Sequence, residues 1–333
     1  MNITIIGAGA IGGHIAAKLA KAGESVKVVA RGEHLKAIRE RGLILKEGGE
    51  EIVARVEVTD RIAEAGGADL VVLGVKAHQL TPIAADVAAI VAPTTMVMTT
   101  QNGVPWWYFL KHGGPYEGVR LESVDPGGVI ADHLPVDAII AAISYQAAEI
   151  ESPGVIKHIE GHRLPLAELD GRKTERIAAL SELFTRAGFK SPALSDVRTE
   201  IRTKLWGNLT FNPVSALAHA TLEDICRFAP TRALAAAMMG EAQTVGEAFG
   251  VRFRLSIDKR IAGAESIGAH KTSMLQDIEH GRAIEVEALL GSVIELARLA
   301  KVATPHLDAI YAVTKLLGET VARSGSGLSL APR

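Results

Sequence analysis

Three glycines near the N-terminus have a spacing that suits contact between backbone and a charged ligand. The motif reads Gly7, Ala8, Gly9, Ala10, Ile11, Gly12. It follows the β-branched run at residues 3–6, a predicted strand, and opens a segment with helical periodicity. In that context Gly7 permits a tight turn, Gly9 lets the backbone approach a pyrophosphate, and Gly12 allows close helix–strand packing. The motif therefore predicts a dinucleotide site at the positive end of a helix, with a plain structural turn as the alternative.

Arg31 lies at the end of the second predicted strand, residues 26–30. NAD enzymes place an acidic residue there, which binds the ribose hydroxyls. A guanidinium instead suits a 2′-phosphate, because its forked donors match phosphate oxygens. The position favours NADPH as the cofactor. Glu33 is close enough in sequence to keep NAD open, and Arg31 could also be an ordinary surface arginine.

Two further polar side chains follow predicted strands, Lys76 after residues 70–75 and Asn102 after residues 95–99. Ligands of open α/β sheets bind outside the carboxyl ends of the strands, so both residues are expected to line the cleft. Lys76 could instead be a solvated lysine. Asn102, which precedes Gly103, could equally serve the turn.

The elements that position these residues alternate between strand and helix. Predicted strands occupy residues 3–6, 26–30, 43–45, 52–58, 70–75 and 95–99, with a possible hairpin around Gly48-Gly49. This alternation is typical of a parallel sheet with crossover helices. From about residue 196 the chain is rich in Ala and Leu with helical periodicity. We predict an α/β protein with an N-terminal Rossmann-type dinucleotide-binding domain (1–192) and a C-terminal all-helical domain (193–325).

An insertion at about residues 104–136 interrupts the first domain and is rich in Gly and Pro. Its side chains Trp106 and Trp107 could cap a substrate pocket, anchor the loop on the core, or serve a subunit contact.

Composition excludes several classes of function. The 333 residues carry a net charge of −2, and no Lys/Arg run predicts a nucleic-acid or membrane partner. The single cysteine, Cys226, is interpreted as a buried apolar side chain, and a cytoplasmic setting fits. His270 and His280 lack the spacing of metal ligands, so no metal is predicted.

The chain resembles the ketopantoate reductases over nearly its whole length. The N-terminal matches are Gly7 to Gly12, Arg31, Val75-Lys76-Ala77-His78-Gln79 and Gln101-Asn102-Gly103. The C-terminal matches are Lys204-Leu205-Trp206-Gly207-Asn208, Asn212-Pro213, Ser273-Met274-Leu275-Gln276-Asp277-Ile278, Ile284-Glu285 and Thr304-Pro305. The glycine motif is shared by many dehydrogenases, whereas the C-terminal blocks are far more specific.

The resemblance implies an NADPH-dependent reduction of a small 2-oxo acid, ketopantoate or a relative of it. It implies that Lys204 is the general acid and that Asn208, Asn212 and Ser273 hold the substrate. Asn102 would touch both cofactor and substrate. Two more residues are implied on the cofactor side: Glu285, which orders the closed site, and Ala148, a small residue beside the nicotinamide.

The chain departs from the family pattern on the substrate side. The insertion is longer than usual, and Leu222 stands where a substrate-side asparagine is expected. The particular 2-oxo acid therefore stays open. A homodimer is possible, and two rival functions remain: an NAD-dependent β-hydroxy acid dehydrogenase and a non-catalytic NADP-binding sensor.

The implied chemistry agrees with the residue pattern. Lys204, Asn208 and Asn212 are spaced four apart, which places them on one face of a helix. Neighbouring apolar residues indicate burial, which is costly for a lysine and two amides unless a carboxylate and ketone pair with them. A lysine of pKa about 10.4 starts protonated and can supply a proton to the alkoxide. Pro213 predicts that the helix kinks or ends at Asn212. An exposed polar face is the alternative.

Overall fold

The structure is a computed structural model that describes residues 1–330. Its strands are β1 (Asn2–Ile6), β2 (Ser25–Val29), β3 (Leu43–Glu47), β4 (Glu50–Ala54), β5 (Glu57–Thr59), β6 (Leu70–Leu73), β7 (Met96–Thr99), β8 (Ile139–Ala142), β9 (Ala147–Ser152), β10 (Val155–Glu160) and β11 (Leu166–Ala167). Its α-helices are α1 (Ala10–Lys21), α2 (Gly32–Arg41), α3 (Ala84–Ala89), α4 (Val129–His133), α5 (Glu175–Arg186), α6 (Val197–Ala218), α7 (Leu222–Arg227), α8 (Ala229–Ala248), α9 (Ile257–Glu265), α10 (Ser273–Glu279), α11 (Ser292–Leu299) and α12 (Pro305–Ser324). Short 3₁₀ turns lie at Ile62–Ala65, Ala77–Gln79, Thr81–Ile83, Pro126–Gly128 and Val136–Ala138, and a π-turn at Glu287–Gly291.

The chain divides into two compact units. The first, an α/β unit, comprises Met1–Gln101, Trp106–Arg120 and Asp125–Val197. The second, a helical unit, comprises Asn102–Pro105, Leu121–Val124 and the chain from Arg198 onward. The predicted fold class, a Rossmann-type domain with a helical C-terminal part, is confirmed.

The large sheet of the α/β unit has seven strands in the order β11-β8-β7-β6-β1-β2-β5. All neighbouring strands are parallel except the short edge strand β11, which runs antiparallel to β8. The chain builds outward from β1 through β2 to β5 and then returns to β6 on the other side of β1. This reversal creates a crevice at the carboxyl ends of β1 and β6, the usual ligand site of such sheets.

A second sheet of four strands has the order β4-β3-β10-β9. The predicted hairpin at Gly48-Gly49 is confirmed, because β3 and β4 pair antiparallel on either side of it. The prediction of one strand over residues 52–58 is wrong. The strand breaks at Arg55-Val56, since β4 pairs with β3 in this sheet while β5 pairs with β2 in the large one.

Helix α1 packs against strands of both sheets. Its residues Ile15, Ala16, Ala17 and Leu19 have no exposed surface and belong to the main hydrophobic core of the unit. Two of these four side chains are methyl groups, which lets the helix backbone lie close to the strands. The core therefore fixes the helix that follows the glycine motif.

The insertion is anchored in the α/β unit by its tryptophans. Trp106 and Trp107 are both buried, and Trp107 Nε1 donates a hydrogen bond to Thr99 Oγ1 at the end of β7 (3.0 Å). Of the three interpretations above, the structure supports the anchoring of the loop on the core.

In the helical unit, α6 continues through Pro213 to Ala218. Of the two predicted alternatives at Asn212, a kink or an end, the end is therefore wrong. Pro213 lacks an N–H and leaves the Leu209 carbonyl without its helical donor. The buried side chains of Leu209, Phe211 and Val214 offset that loss.

Within residues 1–330, no helix is long and apolar enough to cross a bilayer.

Candidate active site

The glycine turn after β1 is closely packed against the loop after β6. Gly7 has φ +97°, which disfavours a side chain there, and a Cβ would lie 2.8 Å from Val75. A Cβ on Gly12 would lie 2.0 Å from the Gly7 carbonyl oxygen, and one on Gly74 would lie 2.9 Å from Gly12 Cα. The backbones of these three glycines therefore pack against one another and against Val75, which holds β1, α1 and the loop after β6 close together at the switch point.

The N-terminus of α1 is free to receive an anion. Gly9 is the residue before the helix and offers no side-chain cap, and the first turn carries no acidic residue. The orphan N–H groups and the positive end of the helix dipole suit a phosphate. A Cβ on Gly9 would meet only the Gly74 carbonyl oxygen, at 3.9 Å, so space remains above the turn.

His34 of α2 holds the glycine turn in place, a role that the sequence did not reveal. Its Nδ1 accepts a hydrogen bond from the Gly154 N–H (2.9 Å), so its Nε2 carries the proton and donates to the Ala8 carbonyl (2.8 Å). Burial lowers the pKa of His34, which favours this neutral form. The contact of His34 with the glycine turn depends on α2 lying close to the turn after β1, which only the structure shows.

Arg31 directly precedes α2 and is exposed. Its side chain makes no hydrogen bond or ion pair within the described residues, so its five donors are available. The neighbouring Glu33 is engaged by Lys36 (2.6 Å). The turn itself lies next to β2, because the Gly7 N–H donates to the Val29 carbonyl (3.0 Å).

The loops after β6 and β7 are tied together by Gln101. Its Nε2 donates to the carbonyls of Leu73 (2.8 Å) and Val75 (3.0 Å). Lys76, which follows Val75, is partly exposed at the start of the 3₁₀ turn Ala77–Gln79. Both loops lie at the carboxyl edge of the large sheet, where the sequence predicts them.

In the helical unit, Lys204 of α6 donates a hydrogen bond from Nζ to Asn102 Oδ1 (2.6 Å). Burial lowers the pKa of Lys204 to about 8, and the charge of Glu285 partly opposes that shift. Part of the side chain still reaches solvent. Lys204 is therefore a cation whose pKa lies near neutral pH, the range in which a side chain transfers protons best.

Asn208 and Asn212 continue the polar stripe of α6 from Lys204. Asn212 is buried and Asn208 half-buried, and neither carboxamide makes a hydrogen bond within residues 1–330. Both carboxamides are therefore available to donate to a ligand, and the burial of Asn212 argues against a fully exposed polar face.

The π-turn at Glu287–Gly291 supports the loop that carries Asn102. The carbonyl of Ala288 accepts from the Val104 N–H (3.0 Å) and from Ser292 Oγ (2.7 Å). Gly103 has φ +88°, and a Cβ on it would lie 2.1 Å from the Ala288 oxygen. This contact requires a glycine beside Asn102. The sequence carries no signal of a π-turn at this position.

The remaining predicted residues are dispersed. Ser273 is exposed in the first turn of α10, directly after its N-cap Thr272. Glu285 is half-buried just before the π-turn, near enough to Lys204 to influence its charge. Ala148 lies in the edge strand β9, opposite His158 of β10, and packs against the core of the α/β unit.

Comparison with known proteins agrees with this geometry. The family model described as ketopantoate reductase PanE/ApbA matches residues 3–171, and its C-terminal counterpart matches residues 196–318. The chain belongs to the ketopantoate reductase family. It is accordingly a dinucleotide-binding oxidoreductase that acts on a CH–OH group.

Individual relatives align with nearly the whole length of this chain. A 2-dehydropantoate 2-reductase of Mesorhizobium japonicum is 50% identical over 318 residues, covering 95% of this chain and 98% of the relative. A solved chain from Ralstonia solanacearum MolK2, provisionally assigned as a ketopantoate reductase, is 38% identical with a TM-score of 0.92 and coverage of 96% and 98%. A family member from Ralstonia eutropha JMP134 is 25% identical with a TM-score of 0.83 and coverage of 96% and 99%.

Proposed function

We propose that the protein reduces ketopantoate, or a closely related 2-oxo acid, to the 2-hydroxy acid with NADPH and with Lys204 as the general acid. The observation that carries the proposal is the environment of Lys204. Its ammonium is buried, has a pKa of about 8 and is held by Asn102. The full-length identity to a 2-dehydropantoate 2-reductase supports the choice of substrate.

The residues of the α/β unit fit a dinucleotide. The backbone at Gly9, where a Cβ would meet only the Gly74 oxygen at 3.9 Å, and the uncapped start of α1 would receive the pyrophosphate. The unpaired guanidinium of Arg31 would hold the 2′-phosphate, because it has no competing carboxylate partner and Glu33 is paired with Lys36. When bound, NADPH supplies the hydride for C2 of the oxo acid.

The residues of the helical unit would manage the charge that the reaction creates. As the ketone oxygen gains an electron pair, the Lys204 ammonium stabilises it and then transfers its proton to it. Asn102 orients the ammonium through the 2.6 Å hydrogen bond. Glu285 favours the protonated lysine and so keeps the acid loaded between turnovers.

The substrate carboxylate would be held by neutral donors. Asn208 and Asn212 provide carboxamide N–H groups on the face of α6 that carries Lys204, and Ser273 provides a hydroxyl. Neutral donors leave Lys204 as the cation that faces the ketone. This division of roles favours transition-state stabilisation over tight binding of the ground state.

The test combines a panel of 2-oxo acids with one pair of variants. With ketopantoate, Lys204→Met is expected to lose about 10²–10⁴-fold in kcat, the usual contribution of a general acid, while the Kd for NADPH stays within about twofold. Lys259→Met, an exposed lysine on α9, is the control and should leave both unchanged.

Two outcomes contradict the proposal. Equal losses in turnover and NADPH binding by Lys204→Met would show that the lysine is a cofactor contact. Tight binding of NADPH without oxidation by any 2-oxo acid would favour the sensor function instead.

A further inference from the structure

A cluster of potential metal ligands lies in the α/β unit, apart from the residues assigned above. It comprises His14 of α1, Glu47 at the end of β3 and His158 of β10, and we name it the His14 cluster. The three ligating atoms lie within 4.8 Å of one another. His14 has no exposed surface, and the side chain of His158 is 6% exposed. Three elements distant in sequence thus converge on one buried point.

Each of the two imidazoles also has an oxygen partner outside the cluster. His14 Nδ1 lies 2.6 Å from Gln146 Oε1, and His158 Nε2 lies 2.7 Å from the Gly161 carbonyl. The Gly161 oxygen can only accept, so His158 Nε2 donates to it and Nδ1 is the nitrogen that faces the cluster. Both nitrogens of His14 have oxygen partners, since Nε2 lies 3.1 Å from Glu47 Oε1.

Both inner nitrogens lie near the same carboxylate oxygen. Glu47 Oε1 lies 3.1 Å from His14 Nε2 and 3.6 Å from His158 Nδ1. Two ring nitrogens and one carboxylate oxygen therefore converge on a single point, where a cation would gain three ligands.

We propose that the His14 cluster binds one divalent transition-metal ion of the Zn²⁺ class. Two imidazoles and one carboxylate are the protein ligands of many three-residue zinc sites, and imidazole favours this class over Mg²⁺ or Ca²⁺. Ligands about 2.0–2.1 Å from a tetrahedral ion lie about 3.3–3.4 Å apart. The nitrogen–oxygen separations of 3.1 and 3.6 Å bracket that value.

The surroundings of the cluster supply the remaining features of a metal site. Ligating histidines usually donate their outer N–H to a carbonyl or carboxylate, as His14 and His158 do here. His162 stacks on His158 (4.6 Å between ring centroids) and is exposed, so it marks the side from which an ion would enter. The rings of His14 and His158 lie 4.7 Å apart between centroids.

The Lys18 ammonium would compete with a metal ion for the Glu47 carboxylate. Its Nζ donates to Glu47 Oε2 (2.8 Å) and Oε1 (3.1 Å), so an incoming ion must share the carboxylate with an ammonium. Two like charges at such a distance repel strongly in a partly buried setting. Replacing the ammonium by a neutral chain of similar length should therefore tighten metal binding.

The experiment is isothermal titration of the full-length protein with Zn²⁺ alone, supported by the visible absorption of bound Co²⁺. Wild type is expected to bind one ion per chain. His158→Ala and Glu47→Gln are each expected to weaken binding at least tenfold. His133→Ala, an exposed histidine on α4, is the control and should bind as wild type does.

Lys18→Met keeps the test decisive if the weakened variants fold poorly. We expect it to bind Zn²⁺ at least tenfold more tightly than wild type, a gain that misfolding cannot produce. Wild type should also gain thermal stability with Zn²⁺, because the ion would link α1 to β3 and β10. The proposal is overturned if Zn²⁺ binding is absent in both wild type and Lys18→Met, or if neither His158→Ala nor Glu47→Gln changes it.

Discussion

Replacing Gly103 by alanine would test whether the π-turn positions the loop that holds Lys204. Alanine at φ +88° costs about 1–2 kcal/mol for the left-handed conformation alone. The new Cβ would also lie 2.1 Å from the Ala288 oxygen, whereas ordinary contact begins at 3.4 Å. The loop must therefore move by about 1.3 Å, which breaks the hydrogen bond from Val104 to Ala288. That loss adds about 0.5–1.5 kcal/mol.

The catalytic consequence follows from Asn102, the residue before Gly103. A displacement of about 1 Å at a positioning residue can cost about 10²-fold in rate. We therefore expect Gly103→Ala to lose about 1.5–3.5 kcal/mol in the free energy of unfolding and about 10–100-fold in kcat. Chemical denaturation measures the first quantity, and steady-state reduction of ketopantoate measures the second.

Gly118→Ala is the matched control. Gly118 lies in the insertion at φ +76°, and its Cβ would meet nothing within 4 Å. It should show the conformational cost of about 1–2 kcal/mol without the loss of turnover. If Gly103→Ala lost no more stability and no more kcat than Gly118→Ala, the role of the π-turn would be refuted.

Three further predictions concern charge and cofactor binding. Burial lowers the pKa of Lys204 to about 8, and the lysine must be protonated to act as an acid. The kcat/KM for reduction should therefore fall about tenfold per pH unit above pH 8, and a profile that stays flat to pH 10 would contradict this. Arg31→Ala should raise the KM for NADPH at least about tenfold and spare that for NADH, a loss of the size of one charged hydrogen bond. Arg39→Ala, exposed on the helix that follows Arg31, is the control, and an unchanged preference would rule out the phosphate contact. Gly12→Ala should abolish dinucleotide binding in a fluorescence titration, because its Cβ would lie 2.0 Å from the Gly7 oxygen, whereas Gly263→Ala has open space and should bind normally.

Much of the α/β unit follows from local sequence signals. The β-branched run before Gly7 and the helical periodicity after it predict β1, the turn and α1 directly. The hairpin at Gly48-Gly49 is equally readable, because its turn chemistry is local. The division of residues 52–58 between two sheets was not predictable, since it depends on which partner strand each half meets.

The candidate site shows the same limit. The spacing of Lys204, Asn208 and Asn212 predicts one helix face, and the family resemblance gives that face its chemistry. The continuation of α6 past Pro213 depends on tertiary burial, which overrides the local preference. The His14 cluster was missed for a related reason, because its members lie at positions 14, 47 and 158 and no local spacing joins them.

The helical unit is assembled from three separate stretches of the chain, which has a consequence for dissecting the protein. Its short segments Asn102–Pro105 and Leu121–Val124 are synthesised long before Arg198. Glu295 accepts hydrogen bonds from the backbone of Glu122 and Ser123, and those acceptor contacts would be lost in a fragment that begins at residue 198. Such a truncation would also remove Asn102, the partner of Lys204. During synthesis these two segments likewise precede the chain from Arg198 that they pack with, so completion of this unit requires contacts across more than a hundred residues.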